Sequence, residues 1–555
     1  MKLPSAKVVP TVVTVHGDPR VDNYFWLRDR RDPDVLRYLK AENRFTEAAL
    51  KHLAPLRKKL YREILARIQQ TDLSVPVRRD DYYYYTRTVR GKQYPLYCRK
   101  RGSEQAPEEL LLDANALARG HDYFRLGHFS ISPDHKLLAY STDTKGDEAF
   151  IIRVKNLDTG KLLADKIPNA YYSLEWANDN RTFFYTVLDA AKRPHKVFRH
   201  TLGEKPDTLV YHEKDQRFAL GVSRTRSRRF LLIEIGSAVT SEARYLSSDR
   251  PHGRFRVLLP RIQDVEYDVS DHGEFFYIRT NQDAKTFRLM RTPVAAPSPE
   301  TWQEVLAARP NVNLEGVDTF RDHLIVWERE NGLPKIRVER LESRRVHYID
   351  FPEPAYSAAP AGNAEYNTDE LRFTYSSLVT PDSVYDYNLE TRERELKKRR
   401  EVLGGYEPDR YRSERVFATA PDGVKIPISL IYRKGTPRDG TAPMLLNAYG
   451  SYGISSEPAF SSERLSLLDR GFICAIAHIR GGGELGKPWH DDGKLMNKRN
   501  TFTDFIACAE FLIRRKYTAA GAATIWLHVV RDTTGSVASA SVDFDTRYEF
   551  SGPVS

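Results

Sequence analysis

Three textures of apolar and polar positions succeed one another along the chain. Over roughly the first 70 residues, apolar side chains recur at helical spacing. Leu36, Leu39, Phe45, Ala48 and Ala49 follow that spacing after Asp32-Pro33-Asp34, where an Asp N-cap precedes Pro at the first helical position. Leu56, Leu60, Ile64, Leu65 and Ile68 predict a second helix over 55–68, and Pro76 ends the pattern. From about 75 to 400, short β-branched and aromatic runs alternate with turn residues, as in Tyr82 to Thr86, Arg90-Gly91-Lys92 and Tyr94 to Tyr97. This is hairpin chemistry. The run Tyr82-Tyr83-Tyr84-Tyr85 reads as the two alternating faces of one strand, which tyrosine favours, rather than as an aromatic platform for bases or sugars.

A degenerate repeat runs through the second texture. Ser132-Pro133-Asp134 precedes Leu137 to Ser141, Trp176 to Asp179 precedes Thr182 to Tyr185, and Val269-Ser270-Asp271 precedes Glu274 to Tyr277. Phe320-Arg321-Asp322 precedes Leu324 to Trp327, and Asn367-Thr368-Asp369 precedes Leu371 to Tyr375, with a weaker copy at Thr225-Arg226-Ser227. A polar turn followed by an apolar strand about every 45–50 residues suits the four-stranded blade of a β-propeller, and the length accommodates seven blades. Near 401 the pattern shifts again, through the linker-like Gly404-Gly405-Tyr406. Runs at 415–419 and 426–432 flank the turn Pro421-Asp422-Gly423 as a hairpin. Apolar strands at 445–449 and 472–479 then alternate with helical patterns, which marks an α/β domain. Thr501-Phe502-Thr503-Asp504 predicts a capping box opening a helix over 502–515, with Arg514-Arg515-Lys516 at its negative end.

Composition narrows the function classes. At 555 residues the chain accommodates two or more domains. No run reaches the roughly 18 apolar residues of a membrane span, and Met1 to Lys7 lacks an apolar signal region, so the expectation is a soluble, cytoplasmic protein without a membrane partner. Cys98, Cys474 and Cys508 form neither a disulfide framework nor a metal pattern, and read as buried thiols. The net charge of +11 is scattered, with short clusters at Arg57-Lys58-Lys59 and Lys397 to Arg400, which predicts a solvated surface and no nucleic-acid partner. Arg480-Gly481-Gly482-Gly483-Glu484 lacks the ending of a phosphate loop and the spacing of a dinucleotide loop. It reads as tight backbone packing beside a cleft, and neither a cofactor nor a metal is expected.

Several separated motifs together resemble the prolyl oligopeptidase family, in particular its oligopeptidase B branch. They are Asp22 to Asp29, Tyr38 to Asn43, Asn447-Ala448-Tyr449-Gly450-Ser451-Tyr452-Gly453, Ser461 to Gly471, His478 to Gly486, Asp492-Gly493-Lys494 and Lys498 to Phe505. The resemblance covers residues 1 to about 517. It implies a seven-bladed β-propeller capping an α/β-hydrolase domain, a Ser-Asp-His triad, and short basic peptides cleaved after Arg or Lys. The implied division is an N-terminal helical extension packing on the hydrolase domain (1–72), the propeller (73–400), and an incomplete α/β-hydrolase domain (401–555) with a divergent tail, 518–555. By the same resemblance Tyr449 completes the oxyanion hole, a donor fixed where negative charge develops. Glu457 matches the first of two acids that bind basic side chains, while Ala459 stands at the second. On residue type alone, Tyr449 reads as packing and Glu457 as a solvated loop charge. His478 and His490 read as structural or rim residues, since the triad His follows the Ser in this order.

No Gly-x-Ser-x-Gly elbow occurs in the sequence. The family's count places the nucleophile at Val529, which cannot serve. Residues 518–555 are about half Ala, Gly, Ser and Thr and contain no Lys. They read as a truncated or altered end, and the chain is expected to be inactive. The alternative is a non-catalytic propeller module or a defective product. A new site from His528, Asp532, Ser536 and Ser539 is not expected, because such letters arise by chance and must converge in space.

Overall fold

The computed structural model describes residues 3–530 and 537–543, with side chains as far as 522. It divides into two compact units, residues 1–68 and 69–555. The first is not purely helical. An antiparallel hairpin pairs Thr11–Val15 with Asp18–Asp22, turning at His16 and Gly17, both at positive φ. Its second strand is exposed throughout, so no in–out alternation marked it in the sequence. Helices Pro33–Ala49 and Ala54–Ala66 follow as predicted, and Asp32 caps the first by accepting the Asp34 N–H at 2.8 Å.

In the second unit seven four-stranded blades form the propeller, over 77–113, 125–212 (two blades), 219–259, 267–306, 312–349 and 356–399. The two blades within 125–212 join as one sheet because the 15-residue strand Leu162–Trp176 serves both. The repeat has a physical origin. Asp or Ser side chains hold the turn before the second strand of a blade, as Asp179 does by accepting the N–H groups of Arg181 (3.0 Å) and Thr182 (2.8 Å). That second strand lies between neighbouring blades. In His323–Glu330, Leu324 and Val326 pack with Leu289 and Tyr277 of one neighbour, Ile325 and Trp327 with Phe373 and Tyr356 of the other. Burial on both faces demands a continuous apolar run. The ring closes between first and last blades through side chains. Arg372 donates to the Pro76 carbonyl (2.6 Å), Lys398 to Asp72 (2.6 Å), and the Asp80 N–H to Glu365 (2.6 Å).

The remaining sheet is numbered here in chain order: β1 (Tyr411–Thr419), β2 (Lys425–Arg433), β3 (Met444–Ala448), β4 (Ile473–Ala477), β5 (Ala523–Val530) and β6 (Val537–Asp543). Its spatial order is β1-β2-β4-β3-β5-β6, with β3 parallel to both β4 and β5. Ile426, Ile428, Leu430, Leu446 and Ala475 bury against Phe505, Cys508 and Leu512 of helix α1 (Arg499–Arg514). The crossover sets the loops after β3 and β4 side by side at the strands' carboxyl ends, where open α/β sheets place their sites.

Candidate functional site

Tyr449 follows the last residue of β3, half-buried, and among the described residues its hydroxyl makes no hydrogen bond. The loop it opens is held rigid from three sides. The Lys498 ammonium donates to the Gly450 carbonyl (2.6 Å) and to Ser451 (2.7 Å). The Gly453 N–H donates to the Gly481 carbonyl at 3.0 Å, joining the loop to the glycine run after β4. Gly481 sits at φ +97, and a Cβ there would lie 2.2 Å from the Gly450 carbonyl oxygen, so the approach requires glycine. The glycine run is therefore the backbone packing that its sequence predicted.

Arg480 anchors this junction. Its backbone N–H and Nε donate to one oxygen of Asp504, at 3.0 and 2.9 Å, and Nη2 donates to the other at 2.6 Å. Nη1 reaches Asp422 at 2.6 Å in the β1–β2 turn. Asp504, and then burial opposed by Asp422, leave the guanidinium pKa pushed up. Asp504 is fully buried. The Thr501 hydroxyl donates to the Arg480 carbonyl at 2.8 Å. The expected capping box is thus absent: α1 begins at Arg499, one turn earlier, and both residues turn from their own helix end to the glycine loop. Arg480 itself was missed in the sequence, where the glycines beside it drew the reading. Glu484 folds back to accept the Ser456 N–H at 2.8 Å. His478 is buried, with Nε2 2.8 Å from the Ser429 hydroxyl, a structural role in line with its sequence reading.

Glu457 is not the solvated charge that residue type suggested. Its carboxylate takes Nη2 of Arg329, on the propeller, at 2.7 Å, and Arg329 also donates through Nε to Glu315 at 2.6 Å. Desolvation raises the Glu457 pKa against the pull of Arg329. Arg329 is 8% exposed, and sequence held no signal for it, since its partner lies 128 positions away. Of the tail candidates, Asp532 and Ser536 lie outside the described residues, as do the side chains of His528, Val529 and Ser539. Cys98, Cys474 and Cys508 are buried, and desolvation lifts the Cys98 and Cys474 thiols to about 11, the range of inert structural cysteines.

A seven-bladed propeller joined to an α/β-hydrolase sheet, with a tyrosine hydroxyl at the carboxyl end of β3, defines a propeller-capped hydrolase. Comparison with known proteins makes the class specific. The family model for the prolyl oligopeptidase N-terminal beta-propeller domain matches residues 4–400, and that for the prolyl oligopeptidase family matches 458–526. The chain belongs to the prolyl oligopeptidase family of serine peptidases. It is 44% identical to dipeptidyl aminopeptidase BI of Pseudoxanthomonas mexicana, over 93% of this chain and 74% of that protein. To Protease 2 of Moraxella lacunata it is 37% identical, over 94% and 76%. The structure of oligopeptidase B from Leishmania major superposes with a TM-score of 0.89 at 33% identity, covering 94% of this chain and 78% of that one.

Proposed function

We propose that the chain is built on the oligopeptidase B plan, in which short peptides are cleaved after Arg or Lys by a Ser-Asp-His mechanism, on the domain division 1–72, 73–400 and 401–555. The observation that carries this reading is Tyr449, its hydroxyl without a hydrogen bond among the described residues, at the carboxyl end of β3 on a loop locked by Lys498 and Gly481. A donor held there acts on the oxygen of a scissile carbonyl as it gains negative charge, an interaction worth about 2.7–4 kcal/mol in comparable sites. Rigidity matters because a pre-aimed dipole spends nothing on reorganisation. The likeness to Protease 2 and to oligopeptidase B supports the substrate class.

The 555 residues contain no Gly-x-Ser-x-Gly, so we further propose that this chain does not itself form an acyl-enzyme. In that state it is a peptide-binding propeller module. An axial chamber of about 460 Å³ in the propeller, lined by Arg79, Arg224 and Arg226 and by Glu175, Glu234 and Asp318, favours binding of small polar ligands. The test offers the purified chain a fluorogenic peptide ending in Arg, with a fluorophosphonate probe alongside. No turnover and no labelling, with measurable peptide binding, is the expected result. Turnover with stoichiometric labelling would overturn the inactive reading, and absence of peptide binding would remove the module. We also place the protein in the cytoplasm, a reading supported by its three buried, unbridged cysteines. Recovery from an extracytoplasmic fraction would refute it.

A further inference from the structure

Arg329 lies between two carboxylates in the geometry that an arginine side chain of a peptide would be offered. Nε and Nη2 face Glu315 at 2.6 and 3.3 Å, and Nη2 and Nη1 face Glu457 at 2.7 and 3.5 Å. Two forked contacts on one guanidinium give strong, directional recognition. The acids come from different lobes. Glu457 is on the hydrolase loop eight positions after Tyr449. Glu315 is in the propeller strand Val312–Thr319, whose register shifts between Leu314 and Gly316, so Glu315 is the extra residue of a β-bulge, a device that re-aims a side chain.

We propose that Glu315 and Glu457 form a guanidinium site shared by the two lobes, and that Arg329 occupies it as an internal stand-in for a basic side chain. A peptide arginine reaches Glu457 only by displacing Arg329 from it. The exchange does not strand a buried charge: Arg329, on the neighbouring strand of the same blade, keeps Nε on one Glu315 oxygen, while the other Glu315 oxygen, now 3.3 Å from Nη2, passes with Glu457 to the incoming guanidinium. Other contacts between propeller and hydrolase domain include Lys487 with Glu266 at 2.8 Å, Arg415 with the Asn331 carbonyl, and the Phe460 N–H with the Ser376 hydroxyl at 3.0 Å, so displacement of Arg329 from Glu457 removes one of several ties. With alanine at 459, the hydrolase loop has only Glu457 to offer a cation, which makes the bulged Glu315 the second half of the site. The identity of the natural ligand rests on the peptidase reading; the site itself does not.

Arg329→Ala empties the site, and N-ethylguanidinium is the probe that refills it. Saturable addition should raise the melting temperature of Arg329→Ala, leave the unsubstituted chain unmoved, and fail in Arg329→Ala/Glu457→Gln. A blocked Arg-Arg dipeptide amide should bind Arg329→Ala at least ten-fold more tightly than the unsubstituted chain by calorimetry, and its norleucine counterpart should show no such gain. If Arg329→Ala does not fold, Arg329→Gln, which still hydrogen-bonds Glu315, takes its place with the same readouts. No rescue by N-ethylguanidinium, or equal peptide affinity with and without Arg329, overturns the proposal. Neither readout involves turnover, so a failure of the hydrolytic reading leaves this result standing, and the reverse also holds.

Discussion

Glu108 accepts from Nη2 of Arg87 at 2.8 Å and from the Tyr85 hydroxyl at 2.6 Å. These bonds favour the carboxylate, the Arg87 pair most, and hold its pKa down at about 2. An unfolded glutamate titrates near 4.3. The folded value is the lower one, so the stabilisation is complete above about 4.3 and is lost as pH falls through 2. Because 31% of the side chain meets solvent, screening reduces the effect. Glu108→Gln should cost about 1–2 kcal/mol at pH 7, and that difference should shrink steadily between pH 4.5 and 2 in urea titrations. A constant difference across that window would assign the loss to packing. Deeper in the molecule, Asp504→Ala leaves Arg480 buried with Asp422 alone, and should cost about 3–5 kcal/mol at neutral pH.

Among the elements, the glycine loop after β4 and the helix α1 form one device. Arg480, Thr501 and Asp504 lock the loop to the helix, while Gly481 lets it touch the Tyr449 loop. Gly481→Ala adds a Cβ 2.2 Å from a backbone oxygen at φ +97. It should destabilise by at least ~2 kcal/mol and speed hydrogen exchange of the 449–453 amides before that of β4. Equal acceleration in both would mean that the loop is not a separate unit. Apolar periodicity revealed α1 because Phe505, Cys508 and Leu512 bury at helical spacing. Its start was misplaced by one turn. Thr and Asp three apart look the same whether they cap their own helix or bind another segment, and the choice depends on what lies opposite.

For the whole molecule, the propeller's closure is the point most open to test. The first and last blades belong to separate sheets, bridged by side chains rather than a shared strand. Arg372 spans the seam, pairing with Asp386 through Nε at 2.6 Å and Nη2 at 2.8 Å while donating to the Pro76 carbonyl. Arg372→Ala should cost about 3 kcal/mol, because it leaves Asp386 buried and unpaired, and should open residues 70–80 to limited proteolysis before any other part of the ring. Cleavage appearing first between other blades would shift the weak point away from this seam.

The chain's own pattern determined the blades, the hydrolase sheet up to β4 and the position of Tyr449. Each depends on short-range alternation, on turn residues such as Asp179, or on a motif contiguous in sequence. Tertiary structure alone decided the partners of charges. Arg329 meets Glu457 across 128 positions, and Asp504 meets Arg480 across 24. No local period encodes such a meeting. A buried charge is tolerated only where an opposite charge arrives in three dimensions, and the fold, not the spacing along the chain, brings it there.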